Sequence, residues 1–134
     1  MKKQLFLNKV VVKLSPTHGY GVFAEKTIKK GEIIEECYVL ISRGGDKKLE
    51  DYYFDVNGKN GIFTGFGVIY NHSDDENADY TIYEKRKLAV IKANRTIKKG
   101  EEIFVSYGDK WFTSRNWKAK HVGTDKPKKR KKKK

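Results

Sequence analysis

Apolar and polar residues alternate in several short runs between residues 10 and 107. These runs are rich in β-branched and aromatic side chains, and a period of two is typical of β-strands with one buried face. The pattern predicts seven strands, at residues 10–14, 21–24, 33–41, 62–70, 78–83, 88–93 and 103–107. We therefore expect a mainly β fold of several short strands.

Segments that contain glycine separate the predicted strands and predict turns at residues 17–19, 29–32, 57–61 and 98–101. No stretch between them carries a long apolar stripe with the helical period. The pattern allows only short helices, which we expect over residues 47–54 and 109–117.

One hexapeptide, TIKKGE, occurs at residues 27–32 and again at residues 96–101. Each copy precedes an apolar strand, but two copies are too few for a solenoid. Glycine allows the positive φ that a tight turn between strands requires. We therefore favour one type of turn used twice over a true duplication.

The chain of 134 residues has the length of a single domain, and its net charge of +13 is unevenly distributed. Residues 118–134 contain ten basic side chains and one acidic one, whereas residues 1–117 contain twenty basic and sixteen acidic ones. The last segment has too few apolar side chains to order itself. We predict one folded domain at 1–117 and a disordered lysine-rich tail at 118–134.

Several classes of protein are disfavoured by what the sequence lacks. It has no run of 18 apolar residues and no credible signal peptide, so we expect a soluble protein without a membrane segment. Its single cysteine, Cys37, suits a reducing compartment. His18, His72 and His121 lack the short spacing of a metal pair, so we expect no metal site.

Three stretches have residue types that suit a ligand site. The first, GYGVFA at 19–24, matches a dinucleotide fingerprint, but no helix follows it, so glycines that let a ligand approach Tyr20 are the better interpretation. The second, Asn71-His72-Ser73, reads by itself more simply as a capped turn. The third runs from Gly100 to Gly108, and its tyrosine is either an ordinary half-buried strand residue or part of an aromatic cage for a cation.

Together and in this order, the three stretches resemble the SET-domain protein lysine methyltransferases, from Lys9 to about Trp117. Asn77 belongs to the second stretch in this comparison. The short length and the run EDY at 50–52 resemble most the stand-alone SET proteins encoded by large DNA viruses of algae. The resemblance implies a β-clip fold of several short sheets, with a knot-like core and a short C-terminal helix.

The resemblance also implies the cofactor and the roles of particular residues. Gly19 and Tyr20 would line S-adenosylmethionine, and Asn71 and His72 would hold its amino-acid and adenine parts. Tyr107 would be the catalytic tyrosine and would also contact the cofactor. The lysine channel would be walled by Tyr20 and Tyr52, with Trp111 among the candidates for its lid.

The sequence departs from the family pattern at several positions. Asp74 and Glu76 stand where many members have Cys and Pro, and Val68 stands where an Arg is frequent. One cysteine in total excludes the zinc segment that closes the channel in many relatives. A lid from this chain or from a second copy would have to replace it, so we expect a homodimer.

The implied activity is S-adenosylmethionine-dependent methylation of a protein with a basic extended tail, for which a histone is the favoured substrate. The alternatives are a nucleic-acid-binding β domain and an inactive SET fold that binds proteins. The near-balanced charge of residues 1–117 predicts no electrostatic groove, so we expect any nonspecific nucleic-acid contact to depend on the tail. The run PKKR at 127–130, followed by four lysines, resembles an import signal. It predicts a nuclear location, in the host nucleus if the protein is viral or a secreted effector.

Overall fold

The computed structural model of the chain describes residues 4–106. These residues form nine strands and two short 3-10 helices, at Lys47–Tyr52 and Glu84–Arg86. The strands are β1 (Val10–Leu14), β2 (Tyr20–Ala24), β3 (Ile33–Ser42), β4 (Phe54–Val56), β5 (Lys59–Phe63), β6 (Asn71–His72), β7 (Ala78–Tyr83), β8 (Leu88–Ala93) and β9 (Glu102–Val105). No helix in this part of the chain is long and apolar enough to cross a membrane.

The strands form two sheets, in the orders β1-β2-β9-β6 and β4-β5-β3-β8-β7. Neighbouring strands are antiparallel except for β6 and β9, which run parallel and pair Asn71 with Phe104. One apolar core receives side chains from both sheets, among them Val22, Ile103, Val39 and Ile91. The prediction of a mainly β fold is confirmed, and the β6–β9 pairing fits a knot-like core.

The short runs of apolar, β-branched and aromatic residues predicted β1, β7 and β8 with their observed bounds. The strand predicted over residues 62–70 is wrong beyond Phe63, because the chain turns through residues 64–69. Gly65 has a φ of 70°, and a Cβ on Gly67 would lie 2.1 Å from the Cβ of Phe63. An apolar run therefore continues through a turn that only glycine permits at these points.

The helix predicted over residues 47–54 is a 3-10 helix that ends at Tyr52. The Asp46 side chain caps it by accepting a hydrogen bond of 2.8 Å from the Lys48 amide. Strand β4 follows directly and was missed by the sequence pattern. The helix predicted over residues 109–117 and the tail lie outside the described residues.

The two TIKKGE copies form the same turn, as the sequence predicted. Gly31 and Gly100 have φ values of 89° and 92°. In the first copy the Lys29 amide donates to Glu32 Oε1 at 3.0 Å. In the second copy, the amide of Lys98 makes the matching bond at 2.8 Å.

The two turns also pair with each other. Ile28 and Ile97 exchange two backbone hydrogen bonds of 2.8 Å. The Gly100 amide donates to the carbonyl of Ala24, and the Gly31 amide donates to that of Ala93, both at 2.8 Å. Each turn therefore packs on the strand that leads into the other, which brings β9 beside β2 and β3 beside β8.

Candidate active site

A cleft of about 580 Å³ opens where three distant segments of the chain meet. The segments are residues 18–20 before and within β2, the 3-10 helix with the strands after it, and residues 67–71 leading into β6. From the middle segment the lining side chains are Leu49, Asp51, Tyr52, Phe54 and Ile62. The volume and the mostly apolar lining are typical of a small-molecule site.

The glycines of the first segment have two different roles. Gly19 has a φ of 52°, and a Cβ there would meet no atom within 4 Å, so it lets the chain turn and leaves open space. A Cβ on Gly21 would lie 2.1 Å from Glu102 Oε2, so this glycine makes room for a buried carboxylate. Between them, Tyr20 lines the cleft with 61% of its surface exposed.

Asn71 begins β6 and is buried at the inner end of the cleft lining. Its Nδ2 lies 2.7 Å from Glu102 Oε2, and 3.1 Å and 3.2 Å from the carbonyl oxygens of His18 and Tyr20. Three acceptors thus compete for the two hydrogens of one amide group. Because the protein occupies Nδ2, Oδ1 is the polar side-chain atom that Asn71 can offer to a ligand.

Glu102 connects this asparagine to the loop before β2. Its Oε1 accepts a hydrogen bond of 2.7 Å from Ser15 Oγ. Ser15 also shapes that loop, since its amide donates to the Gly19 carbonyl at 2.7 Å and its Oγ accepts from the Thr17 amide at 2.9 Å. We call these contacts the Ser15–Glu102–Asn71 network, and it fixes the first, second and third motifs relative to one another.

Asn77 fixes the same region through the backbone. Its Nδ2 donates to the carbonyl of Glu102 at 2.9 Å, and its Oδ1 accepts from the amide of Phe104 at 2.8 Å. Both bonds are made to β9, beside β6. Asn77 therefore holds the strand that carries Glu102 in register.

His72 follows Asn71 but does not line the cleft. Its imidazole is 1% exposed, and Nε2 lies 3.1 Å from Asp74 Oδ1. Asp74 Oδ2 is buried and accepts no hydrogen bond from residues 4–106. The neighbour of His72 is thus Asp74, a position at which the sequence departs from the family pattern. The contact of His72 with a cofactor stays a prediction.

A second buried carboxylate, Glu35, supports the cleft from behind. It accepts a hydrogen bond of 2.7 Å from the Tyr70 hydroxyl and one of 2.9 Å from the Phe66 amide. Burial raises the pKa of the Glu35 carboxyl, although these bonds partly oppose the rise. Burial, with a further contribution from Glu35, also raises the pKa of Tyr70 and that of the Cys37 thiol.

The contacts of Glu35 and Glu102 were not predicted from the sequence. Glu35 offered one signal, because two glutamates interrupt an otherwise apolar strand in the run IIEEC at 33–37. Charged residues in such positions are rarely buried without partners. Nothing in the sequence identified Ser15 or Tyr70 as those partners.

Of the residues predicted for the site, the structure brings Gly19, Tyr20, Tyr52 and Asn71 to one cleft. Tyr107 and Trp111 lie outside the described residues, as does any lid they form. Within residues 4–106 no group of three or more His, Cys, Asp or Glu side chains could hold a metal ion.

The described part of the chain is thus mainly β, and its cleft is lined by residues of the first and second motifs, while Glu102 of the third motif is hydrogen-bonded to Asn71. A family model of the SET domain matches residues 19–108. The chain is 32% identical over 103 residues to a Schizosaccharomyces pombe protein named histone-lysine N-methyltransferase, H3 lysine-37 specific, and the match covers 70% of each protein.

Solved structures agree with this match. A crystal structure of a Plasmodium falciparum protein, described as a candidate histone methyltransferase, is 32% identical with a TM-score of 0.71, and the match covers 80% of this chain and 99% of that one. A structure of ctPRC2, described as autoinhibited and bound to S-adenosylmethionine, is 25% identical with a TM-score of 0.62, covering 83% of this chain and 17% of that one. The chain belongs to the SET domain family, and its relatives support lysine methyltransferase activity.

Proposed function

We propose that this chain is an S-adenosylmethionine-dependent protein-lysine N-methyltransferase that acts on histone tails. The observation that carries the proposal is that the first and second motifs line one cleft, while Glu102 of the third motif holds Asn71 through the Ser15–Glu102–Asn71 network. Each motif alone has an ordinary structural interpretation. Their convergence around a single ligand-sized cleft does not follow from those interpretations.

The residues of the cleft fit S-adenosylmethionine. Asn71 Oδ1 suits the ammonium of its amino-acid part, because Nδ2 is already occupied by protein acceptors. The open space beside Gly19 allows a ligand to lie against the backbone. When bound, S-adenosylmethionine supplies a methyl group activated by a positively charged sulfonium.

The remaining cleft residues suit a lysine side chain. Tyr20 and Tyr52 present aromatic surface that packs on the alkyl stem and tolerates a methylated ammonium. The amine must be neutral to react, and deprotonating a free lysine with a pKa of about 10.4 costs roughly 4.6 kcal/mol at pH 7. A narrow apolar channel reduces that cost by disfavouring the ammonium. Tyr107 is proposed as the catalytic tyrosine that positions the amine and the methyl group.

The choice of substrate rests on the relatives named as histone methyltransferases. We further propose a nuclear location, supported by the basic run at 127–134, and a homodimer in which Trp111 helps to close the channel. The domain bounds 1–117 and 118–134 and the likeness to viral SET proteins stay predictions from the sequence.

The test is incubation of the full chain with methyl-labelled S-adenosylmethionine and separate core histones, ribosomal proteins or no other protein, followed by mass spectrometry. We expect methylation of histone lysines. Tyr107→Phe should keep the fold but lower turnover strongly, whereas Tyr83→Phe, which removes an exposed hydroxyl away from the cleft, should not. Equal turnover in both variants would refute the role of Tyr107.

Calorimetry tests the cofactor site separately. Asn71→Ala removes the amide that donates to Glu102 Oε2 and should weaken binding of S-adenosylmethionine about tenfold or more. Asn60→Ala is a matched control, because the Asn60 amide donates to the Gly44 carbonyl away from the cleft. Unchanged affinity in Asn71→Ala would remove Asn71 from the site. Tight cofactor binding without methyl transfer would instead favour a fold used only for binding.

A further inference from the structure

The surface of the described domain is more basic than its composition indicates. Residues 4–106 contain sixteen Lys and Arg and fifteen Asp and Glu. Four of the acidic side chains are buried, namely Glu35, Glu36, Glu76 and Glu102, whereas no Lys or Arg of this part is buried. Outside the core, sixteen basic side chains therefore outnumber eleven acidic ones.

Part of this excess collects in one groove along β1. In a strand, alternate residues share a face, so Lys9, Val11 and Lys13 point away from Val10 and Val12, which pack on the core. These three residues line a groove of about 620 Å³, which also contains two further lysines. All four lysines of the groove are exposed.

The other two lysines come from distant parts of the chain. Lys26 follows β2, where the amide of Glu25 donates to the Lys9 carbonyl at 2.9 Å. Lys99 arrives with the second TIKKGE turn, since the next residue, Gly100, donates to the Ala24 carbonyl. The docking of the two repeated turns thus completes a groove that contains Lys9, Lys13, Lys26 and Lys99.

The groove has little negative charge to balance these lysines. Glu25 is its single acidic lining residue within residues 4–106. None of the four lysines forms an ion pair with another described residue. Lys13 instead lies over the Phe23 ring, 4.8 Å from its centre.

We propose that this lysine groove binds the phosphate backbone of double-stranded DNA. Lysine ammonium groups bind phosphates as point charges, and four of them along one groove suit the regularly spaced charges of a nucleic-acid backbone. Among residues 4–106, its lining has no aromatic side chain on which the bases of a single strand could stack. The sum of charges over residues 1–117 did not reveal this groove, and the expectation that nucleic-acid contact depends on the tail stays a prediction, which this proposal opposes.

The position of the groove is compatible with the proposed reaction. Among residues 4–106 the groove and the cleft share no lining residue. They approach each other at the end of β1, where Lys13 pairs with Gly21 and Leu14 with Tyr20. DNA along the groove would lie beside the cleft without using its lining residues, and the lysine-rich tail would add affinity without being required for the groove to bind.

The test is fluorescence anisotropy of a labelled DNA duplex with the full-length chain over a series of salt concentrations. The variant K9Q/K13Q/K26Q/K99Q is compared with K30Q/K48Q/K85Q/K92Q, which removes four exposed lysines outside the groove and has the same net charge. Four lost phosphate contacts should reduce the slope of log affinity against log salt by about 3 to 4. Between 50 and 200 mM salt, the native chain should then lose about 100-fold more affinity than the groove variant.

The control variant should keep a slope close to that of the native chain, and K9R/K13R/K26R/K99R should keep both slope and affinity. Circular dichroism verifies that each variant is folded. Equal slopes for the groove and control variants would show diffuse charge only and overturn the proposal. Tighter binding of polyglutamate than of the duplex would identify an acidic protein as the partner and would also overturn it.

Discussion

Converting the Asn71 amide into a carboxyl is the sharpest test of the Ser15–Glu102–Asn71 network. In N71D an oxygen replaces Nδ2, which lies 2.7 Å from Glu102 Oε2 and near two carbonyl oxygens. The shape of the side chain hardly changes. A donor among three acceptors becomes a fourth acceptor, so the loss of stability comes from electrostatics rather than from packing.

The size of the effect follows from the distance of 2.7 Å between position Nδ2 of residue 71 and Glu102 Oε2. Two carboxylates 2.7 Å apart repel by about 6 kcal/mol at an effective dielectric constant of about 20. The pair can avoid this by binding one proton, which for a carboxyl with an ordinary pKa of about 4 costs about 4 kcal/mol at pH 7. Proton uptake is therefore the cheaper route, and N71D should lose about 4 kcal/mol of unfolding free energy at pH 7.

The pH dependence gives the sign that distinguishes this mechanism. The pair has a raised pKa in the folded state and an ordinary one in the unfolded chain, so only the folded state holds the extra proton near neutral pH. Stability then falls as pH rises, by about 1.4 kcal/mol per unit between pH 6 and pH 8 relative to the native chain. Urea unfolding at several pH values measures this slope.

The double variant N71D/E102Q provides the control. A neutral amide at position 102 can donate to the new carboxylate, so most of the lost stability and the pH slope should disappear. The coupling energy from the four proteins should be several kcal/mol in favour of the double variant. If N71D followed the native chain from pH 6 to pH 8, or if E102Q failed to rescue it, the hydrogen bond between these residues would not have the role assigned here.

Two further variants test the supports of the cleft. Because burial raises the pKa of Glu35, its contribution to stability is present at low pH and is lost as pH rises through the raised pKa. In urea unfolding from pH 4 to pH 8, E35Q should abolish this decline in stability. An unchanged decline would assign it to another group. Gly21→Ala puts a Cβ 2.1 Å from Glu102 Oε2 and should cost about 1–3 kcal/mol and weaken S-adenosylmethionine binding, while Gly44→Ala, with no atom within 4 Å, should do neither. Equal stability of the two alanine variants would contradict the close packing at Gly21.

Patterns of neighbouring residues in the sequence predicted the strands and turns that depend mainly on those residues. Strands β1, β7 and β8 are short runs rich in apolar, β-branched or aromatic residues, and the TIKKGE turns depend on one glycine each. The run from 62 to 70 defeated the same rule, because hydrophobicity does not reveal that Gly65 and Gly67 bend the backbone. The apolar residues of this turn are partly shielded from solvent, so the run looks in the sequence like the continuation of the strand.

Long-range contacts could not be predicted in this way. Glu35 meets Tyr70 across 35 residues, and Ser15 meets Glu102 across 87. The sum of charges could not reveal the lysine groove either, because it counts buried glutamates as if they balanced exposed lysines. The resemblance to SET domains supplied Asn71 and Tyr20 as cleft residues, but it did not indicate which side chains hold them.

The network explains why three individually weak motifs are informative as a set. Gly21 has no side chain at the point where the Glu102 carboxylate approaches. Glu102 accepts a hydrogen bond from Ser15 with one carboxylate oxygen and from Asn71 with the other. Once its Nδ2 is held in this way, Asn71 can present only Oδ1 to a ligand. A side chain at Gly21 would displace the carboxylate, which is the nearest of the three acceptors that hold Nδ2. The polarity of the cleft therefore depends on residues from all three motifs at once, although Gly21 and Glu102 are not among the described residues that line it.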